Sequence, residues 1–207
     1  MAGCGIDFGT TNSSLGRAID GREVELAEFS FQGAATDSFR SLLYLEQASD
    51  SRAKSLKSWA GPAGIERYLA AETKGRLIQS LKSFLTSRSL FSTDVFGRRR
   101  TLEELIARIL IDLREIASRQ FGVPVTSAVV GRPVRFVGAE REEDNQFAEE
   151  RLTKAFHQAG FESVTFEFEP VAAARTRVVR VRLRHGVRPA DHADADVQSF
   201  AAGAHRR

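Results

Sequence analysis

The chain contains one cysteine, Cys4, so no intramolecular disulfide framework can hold it together, and a reducing, cytoplasmic setting is the expectation. It has no apolar run long enough to span a membrane, so no membrane partner is expected. No basic region followed by an apolar stretch opens the chain, and no signal peptide is expected. An excess of one charge is also missing: 30 Lys and Arg face 27 Asp and Glu, a formal net charge of +3. Basic residues are spread along the chain except at Arg98-Arg99-Arg100 and beyond residue 174, which makes a general nucleic-acid surface unlike this sequence. What the chain does have is core. At 42% apolar residues over 207 positions it is long enough for one large domain or two small ones, and too hydrophobic for a disordered protein.

Residues 5–14 read Gly-Ile-Asp-Phe-Gly-Thr-Thr-Asn-Ser-Ser. Ile6 and Phe8 alternate with Asp7 as in a half-buried strand, Gly9 can supply the positive φ of a tight turn, and hydroxyl or amide side chains follow. Backbone N–H groups and short hydroxyls at such a tip can converge on phosphate oxygens, while a carboxylate at the strand end can organise Mg²⁺ through its waters. An ordinary hairpin, whose Thr, Asn and Ser only supply turn hydrogen bonds, fits these residues equally well.

Alternation and turn residues predict three antiparallel strands over 4–8, 13–19 and 23–29. The section 30–100 is less regular, with loops at 33–38 and 61–62 and helices near 62–73 and 76–86, and reads as an insertion on the first sheet. Thr101-Leu102-Glu103-Glu104 matches a capping box, and Leu102, Leu105, Ile106, Ile109, Leu110 and Leu113 then recur at helical spacing up to Gly122. A buried strand over 125–130 closes at Gly131-Arg132-Pro133. A helix over 145–159 ends at Gly160, a strand runs through Val164, Phe166 and Phe168, and Pro170 sits in the first turn of a further helix. This order predicts an α/β fold, a mixed sheet flanked by helices.

Three segments in this order carry a resemblance. Gly5-Ile6-Asp7-Phe8-Gly9-Thr10-Thr11-Asn12-Ser13 is similar to the first phosphate motif of the seventy-kilodalton heat-shock chaperone family, within the actin-like ATPase (ribonuclease-H-like) fold. Glu169-Pro170-Val171-Ala172-Ala173-Ala174 is similar to its inter-lobe crossover segment. Val129 to Phe136, with Gly131-Arg132-Pro133, looks most like a divergent bacterial branch. The matches cover about residues 3–174. Sugar kinases of the wider fold share the Gly-Thr-Thr opening but generally lack the later pattern.

The resemblance implies the first lobe of a nucleotide-binding domain over residues 1–174, with an inserted subdomain at about 36–115. It implies ATP, ADP and Mg²⁺ as ligands, with a co-chaperone or an unfolded polypeptide as possible partner. Gly9, Thr10, Thr11, Asn12 and Ser13 form the implied nucleotide-binding segment, the last four contacting the β- and γ-phosphates. Asp7 would hold Mg²⁺ through its waters, and Lys82 would place an ammonium beside the γ-phosphate. Glu169 would orient the attacking water or couple nucleotide state to the hinge, and Pro133 would serve the hinge relay. Phosphoryl transfer depends on such positioned cations and an oriented water. Read without the resemblance, Lys82 is a solvated lysine, Glu169 a first-turn carboxylate, and Arg98-Arg99-Arg100 a solvated loop; a nucleic-acid patch there would want interleaved aromatics. His157 has no Cys or second His at ligand spacing, so no metal is expected there.

After Ala174 the family pattern fails. Residues 175–207 contain neither Lys nor Glu, and three of the four His fall among them. Arg, Ala, His, Asp, Gly and Val dominate, as in a GC-rich coding region read in a shifted frame. The alternative is a genuine basic tail for nucleic acid or an acidic partner. The family's acidic-Gly-Gly-Gly-Thr second phosphate loop is not found, so a bound nucleotide would have half its usual contacts and little or no hydrolysis is expected. A first lobe could instead act without catalysis, paired with a separately encoded second lobe. If the frame is shifted, translating the DNA beyond the codon for Ala174 in the other two frames reveals a continuing helix, a strand and that loop; their absence favours a genuine short protein.

Overall fold

The computed structural model describes residues 2–19, 23–47, 55–72 and 75–168. In chain order the strands are β1 (Ala2–Phe8), β2 (Asn12–Ile19), β3 (Glu23–Leu26), β4 (Phe29–Phe31), β5 (Ala34–Thr36), β6 (Phe39–Arg40), β7 (Leu42–Gln47) and β8 (Leu56–Ala60). Helix α1 (Gly61–Ala70), β9 (Arg76–Gln79), a 3₁₀ turn (Leu81–Phe84), β10 (Ser92–Val95) and β11 (Arg98–Thr101) follow. The chain continues through α2 (Leu102–Phe121), β12 (Val125–Arg132), α3 (Glu142–Gln158) and β13 (Ser163–Phe168).

The central sheet has the order β13-β12-β1-β2-β3, with β6 added beside β2. β1, β2 and β3 are antiparallel, as alternation predicts, whereas β12 is parallel to both β1 and β13. The result is a mixed sheet flanked by helices. One face carries Cys4, Ile6, Phe8, Leu15, Ala128 and Val130, all buried. They share one core with Ile106, Ile109, Leu110 and Leu113 of α2 and Leu152, Ala155 and Phe156 of α3. Phe156 meets Phe8 edge-on at 6.4 Å and Phe161 at 5.1 Å. Each such fully buried Leu, Ile or Phe stabilises the fold by about 1.5–3 kcal/mol. Burial also pushes the Cys4 thiol up to about 12, leaving it a small apolar core residue rather than a nucleophile. The other face, with Gly3, Gly5, Asp7, Val129 and Thr165, is exposed.

Helix α2 begins as its sequence requires. The Thr101 hydroxyl accepts the Glu104 N–H at 3.2 Å, and the Glu104 carboxylate accepts the Thr101 N–H at 3.0 Å. Such a cap contributes about 1 kcal/mol, and Gly122, at φ 68°, ends the helix in the left-handed conformation. Helix α3 starts at Glu142 rather than 145, because the Asp144 carboxylate accepts the N–H groups of Glu140 and Arg141, both at 3.1 Å.

The section before α2 holds a second sheet, β8-β7-β9, with α1 packed on it. Tyr44 of β7 is fully buried between Trp59 and Tyr68, and the Asp112 carboxylate of α2 accepts the Ala60 N–H at 3.0 Å, tying this sheet to the main core. Several expectations change here. The helix expected over 76–86 is strand β9 followed by the 3₁₀ turn. Residues 76–79 pair with 42–45, and Ser80, at φ 60°, breaks the path before Leu81. The third strand ends at Leu26, not 29: the Ala27 N–H makes one more in-register bond, to the Leu15 carbonyl at 2.8 Å, and Phe29 then opens a separate hairpin with Ala34–Thr36. That hairpin occupies part of the loop expected at 33–38. Helix α1 ends at Ala70 rather than 73. Glu169, the helix expected from Pro170 and the tail at 175–207 lie outside the described residues. Among the described residues no helix is long and apolar enough to cross a membrane.

Candidate functional site

Parallel pairing brings distant segments to one edge of the central sheet. Asp7 pairs with Gly131, and Gly131 with Glu167, so β1, β12 and β13 all end together. In open α/β sheets ligands bind outside the carboxyl ends of such strands. Side chains in one row of a sheet share a face, which puts Asp7 and Glu167 on the same side with only Gly131 between them. Asp7 is exposed there and Glu167 is half-buried.

β1 turns at this edge through Gly9, Thr10 and Thr11, and β2 returns with Ser13 opposite Phe8. Gly9 is essential to the turn for a reason other than the expected positive φ, since its backbone is not left-handed. A Cβ on Gly9 would lie 2.2 Å from the Asn12 carbonyl oxygen, so only glycine lets the two limbs approach this closely. Thr11 and Asn12 are exposed and Thr10 half-buried at the tip. Ser13 is buried, with its hydroxyl 2.8 Å from that of Ser41. The Ser41 N–H donates to the Thr11 carbonyl at 2.8 Å, and the Arg40 guanidinium donates to the Asn12 side-chain oxygen at 2.9 Å. The tip is thus fastened from behind by residues 40–41.

That fastening leads to Lys82. Leu42 follows Ser41 and pairs with Gln79, the last residue of β9, and Lys82 lies three positions further on. Lys82 is only 9% exposed. The solvated-lysine reading therefore does not describe it, because lysines are rarely buried without a partner. Beyond the turn, the Thr86 hydroxyl donates to the Val137 carbonyl at 2.8 Å, joining this segment to the loop that follows β12 and contains Pro133. The hairpin tip is thus linked through residues 41–42 to β9, which leads into the Lys82 turn, and the segment after that turn is linked through Thr86 to the loop after Gly131.

Arg132 is a member of this edge that received no role from sequence. Its guanidinium lies 3.2 Å from the Glu149 carboxylate and 4.4 Å from the centre of the Phe168 ring. The signal was present, an arginine between Gly131 and Pro133 at a strand end, but its partners are remote in sequence. Among the described residues no group of three or more His, Cys, Asp or Glu could enclose a metal. An exposed carboxylate such as Asp7 suits a cation that keeps most of its own waters, as Mg²⁺ does. Compared with models of known protein families, the chain matches none.

The Gly9 geometry makes a direct prediction. Gly9→Ala is expected to cost about 1–3 kcal/mol of stability in denaturant unfolding, because the hairpin must open to admit the methyl group. Gly3→Ala, whose added Cβ meets nothing nearer than 3.5 Å, is expected to change stability by less than about 0.5 kcal/mol.

Proposed function

We propose that residues 1–174 form the first lobe of an actin-like ATPase of the seventy-kilodalton heat-shock chaperone type, and that Asp7, residues 9–13 and Lys82 bind the phosphates of ATP with Mg²⁺. The observation that supports this most is that the hairpin tip and the loop after Gly131 leave the sheet at the carboxyl ends of parallel strands, with the chain around the buried Lys82 turn tied to the first through residues 40–42 and to the second through Thr86. The backbone N–H groups and hydroxyls at the exposed tip supply donors for phosphate oxygens. Asp7 would hold the hydrated cation, which offsets phosphate charge when bound. Lys82 would place its ammonium beside the terminal phosphate, where developing charge is greatest. The role of Glu169 in orienting water belongs to the same proposal.

One lobe supplies one side of such a cleft. This chain is therefore expected to bind Mg²⁺-ATP weakly and to turn it over negligibly. A second reading, a module that pairs with a separate second lobe or a co-chaperone, draws on the exposed Val129, Val134 and Val137 around the same edge.

Titration of the purified chain with Mg²⁺-ATP and Mg²⁺-ADP, read by calorimetry beside a phosphate-release assay, tests both parts. Saturable, Mg²⁺-dependent binding is expected. Lys82→Met, which keeps the stem of the side chain, should weaken ATP about tenfold through loss of one charge-assisted contact and leave ADP nearly unchanged. Absence of nucleotide binding would overturn the site, and robust turnover abolished by Lys82→Met would overturn the expectation of an inactive lobe.

A further inference from the structure

We infer that Arg151 is a positioning residue for Lys82, holding the 3₁₀ turn in place at the sheet edge through a clamp on four backbone carbonyls. Arg151 lies on α3, remote in sequence from the turn, and is only 5% exposed. Its Nε donates to the Glu103 carboxylate at 2.6 Å. Its Nη1 donates to the carbonyls of Phe84 and Leu85, each at 3.4 Å, and of Ser87 at 3.1 Å, while Nη2 donates to the Leu90 carbonyl at 3.0 Å. These carbonyls belong to the end of the turn and the chain leaving it; the Phe84 carbonyl also accepts the Ser87 N–H at 3.0 Å, and of the four residues Leu85 is the buried one, whose carbonyl most needs a donor.

The connection to Lys82 is short. The Leu85 N–H donates to the Lys82 carbonyl at 3.3 Å, and the Leu85 carbonyl accepts from Arg151. Glu103 sits in the first turn of α2, so the clamp ties the Lys82 turn to α2 and α3 together. Burial raises the Glu103 carboxyl, but the Arg151 hydrogen bond, a backbone hydrogen bond, the Arg151 charge and a Thr101 hydrogen bond together outweigh it and hold the group below its ordinary range. The pair is therefore ionised, and the planar guanidinium is oriented by its carboxylate while its other donors face the loop. A second brace, Arg88 over the Phe147 ring at 4.5 Å, joins the same loop to α3. Arg151 touches no proposed ligand position; it acts through the backbone it holds.

The inference rests on the reading of Lys82 as the lysine beside the terminal phosphate, and its test separates the two. Arg151→Lys keeps a charge opposite Glu103 but cannot span four carbonyls. The double variant Glu103→Gln with Arg151→Met removes both charges and leaves neither buried alone. In both, ATP affinity relative to ADP should fall by about tenfold while ADP affinity changes by less than about twofold, a split that general destabilisation would not produce. A folded variant that keeps the wild-type ATP preference overturns the positioning role and leaves the reading of Lys82 intact. A wild-type protein with no preference for ATP over ADP overturns both. The wild-type chain also gives a readout free of any substitution, native-state amide exchange. The Leu85 and Ser87 amides should exchange in the same cooperative unit as the interior of α3, and their exchange well ahead of it overturns the clamp.

Discussion

Because β12 runs parallel to β1 on one side and to β13 on the other, segments separated by more than a hundred residues leave the central sheet at the same edge. Parallel pairing demands crossovers, and the crossovers bring α2 and α3 onto the sheet. Their apolar sides bury Ile6, Phe8 and Val130 from one face. The same pleat that buries those residues turns Asp7 and Glu167 to the opposite face, at the end of the sheet where the chain must turn. The polar edge is therefore a consequence of how the core is built.

The second sheet adds what the first cannot. Residues 39–42 lie against the hairpin tip on one side and β9 on the other, so they carry position from Thr11 to the Lys82 turn. A buried lysine is costly unless its charge is paired and hydrogen-bonded, and the backbone of its turn decides which partners it can reach. The carbonyl clamp of Arg151, the Thr86 to Val137 hydrogen bond and the Ser13 to Ser41 contact together hold that backbone from α3, from the loop after β12 and from the hairpin. Rigid support of this kind is what the proposed phosphate site would require of its backbone.

Local signals in the sequence were sufficient where the structure depends on local chemistry. Thr101 and Glu104 announce the start of α2, Gly122 and Gly160 mark turns after helices, and the alternation of Ile6 and Phe8 fixes which side of β1 is buried. The Gly131-Arg132-Pro133 segment was legible as a strand end. Local pattern failed at 76–86, where Leu77 and Ile78 suit a helix but pair with β7, a partner more than thirty residues away. It also failed at Gly9, whose need for glycine comes from the Asn12 carbonyl rather than from φ. Arg132 and Arg151 carry no periodic signal, because their partners come from other elements.

Chemical-shift mapping of the isotope-labelled chain on addition of Mg²⁺-ATP tests the central claim most directly, since it detects weak binding and locates it without mutation. The account predicts changes concentrated at residues 9–13, at 82–86 and at 131–137, three regions far apart in sequence. Changes confined to the opposite end, around Gly122 and Pro124, or no changes at all, would contradict it.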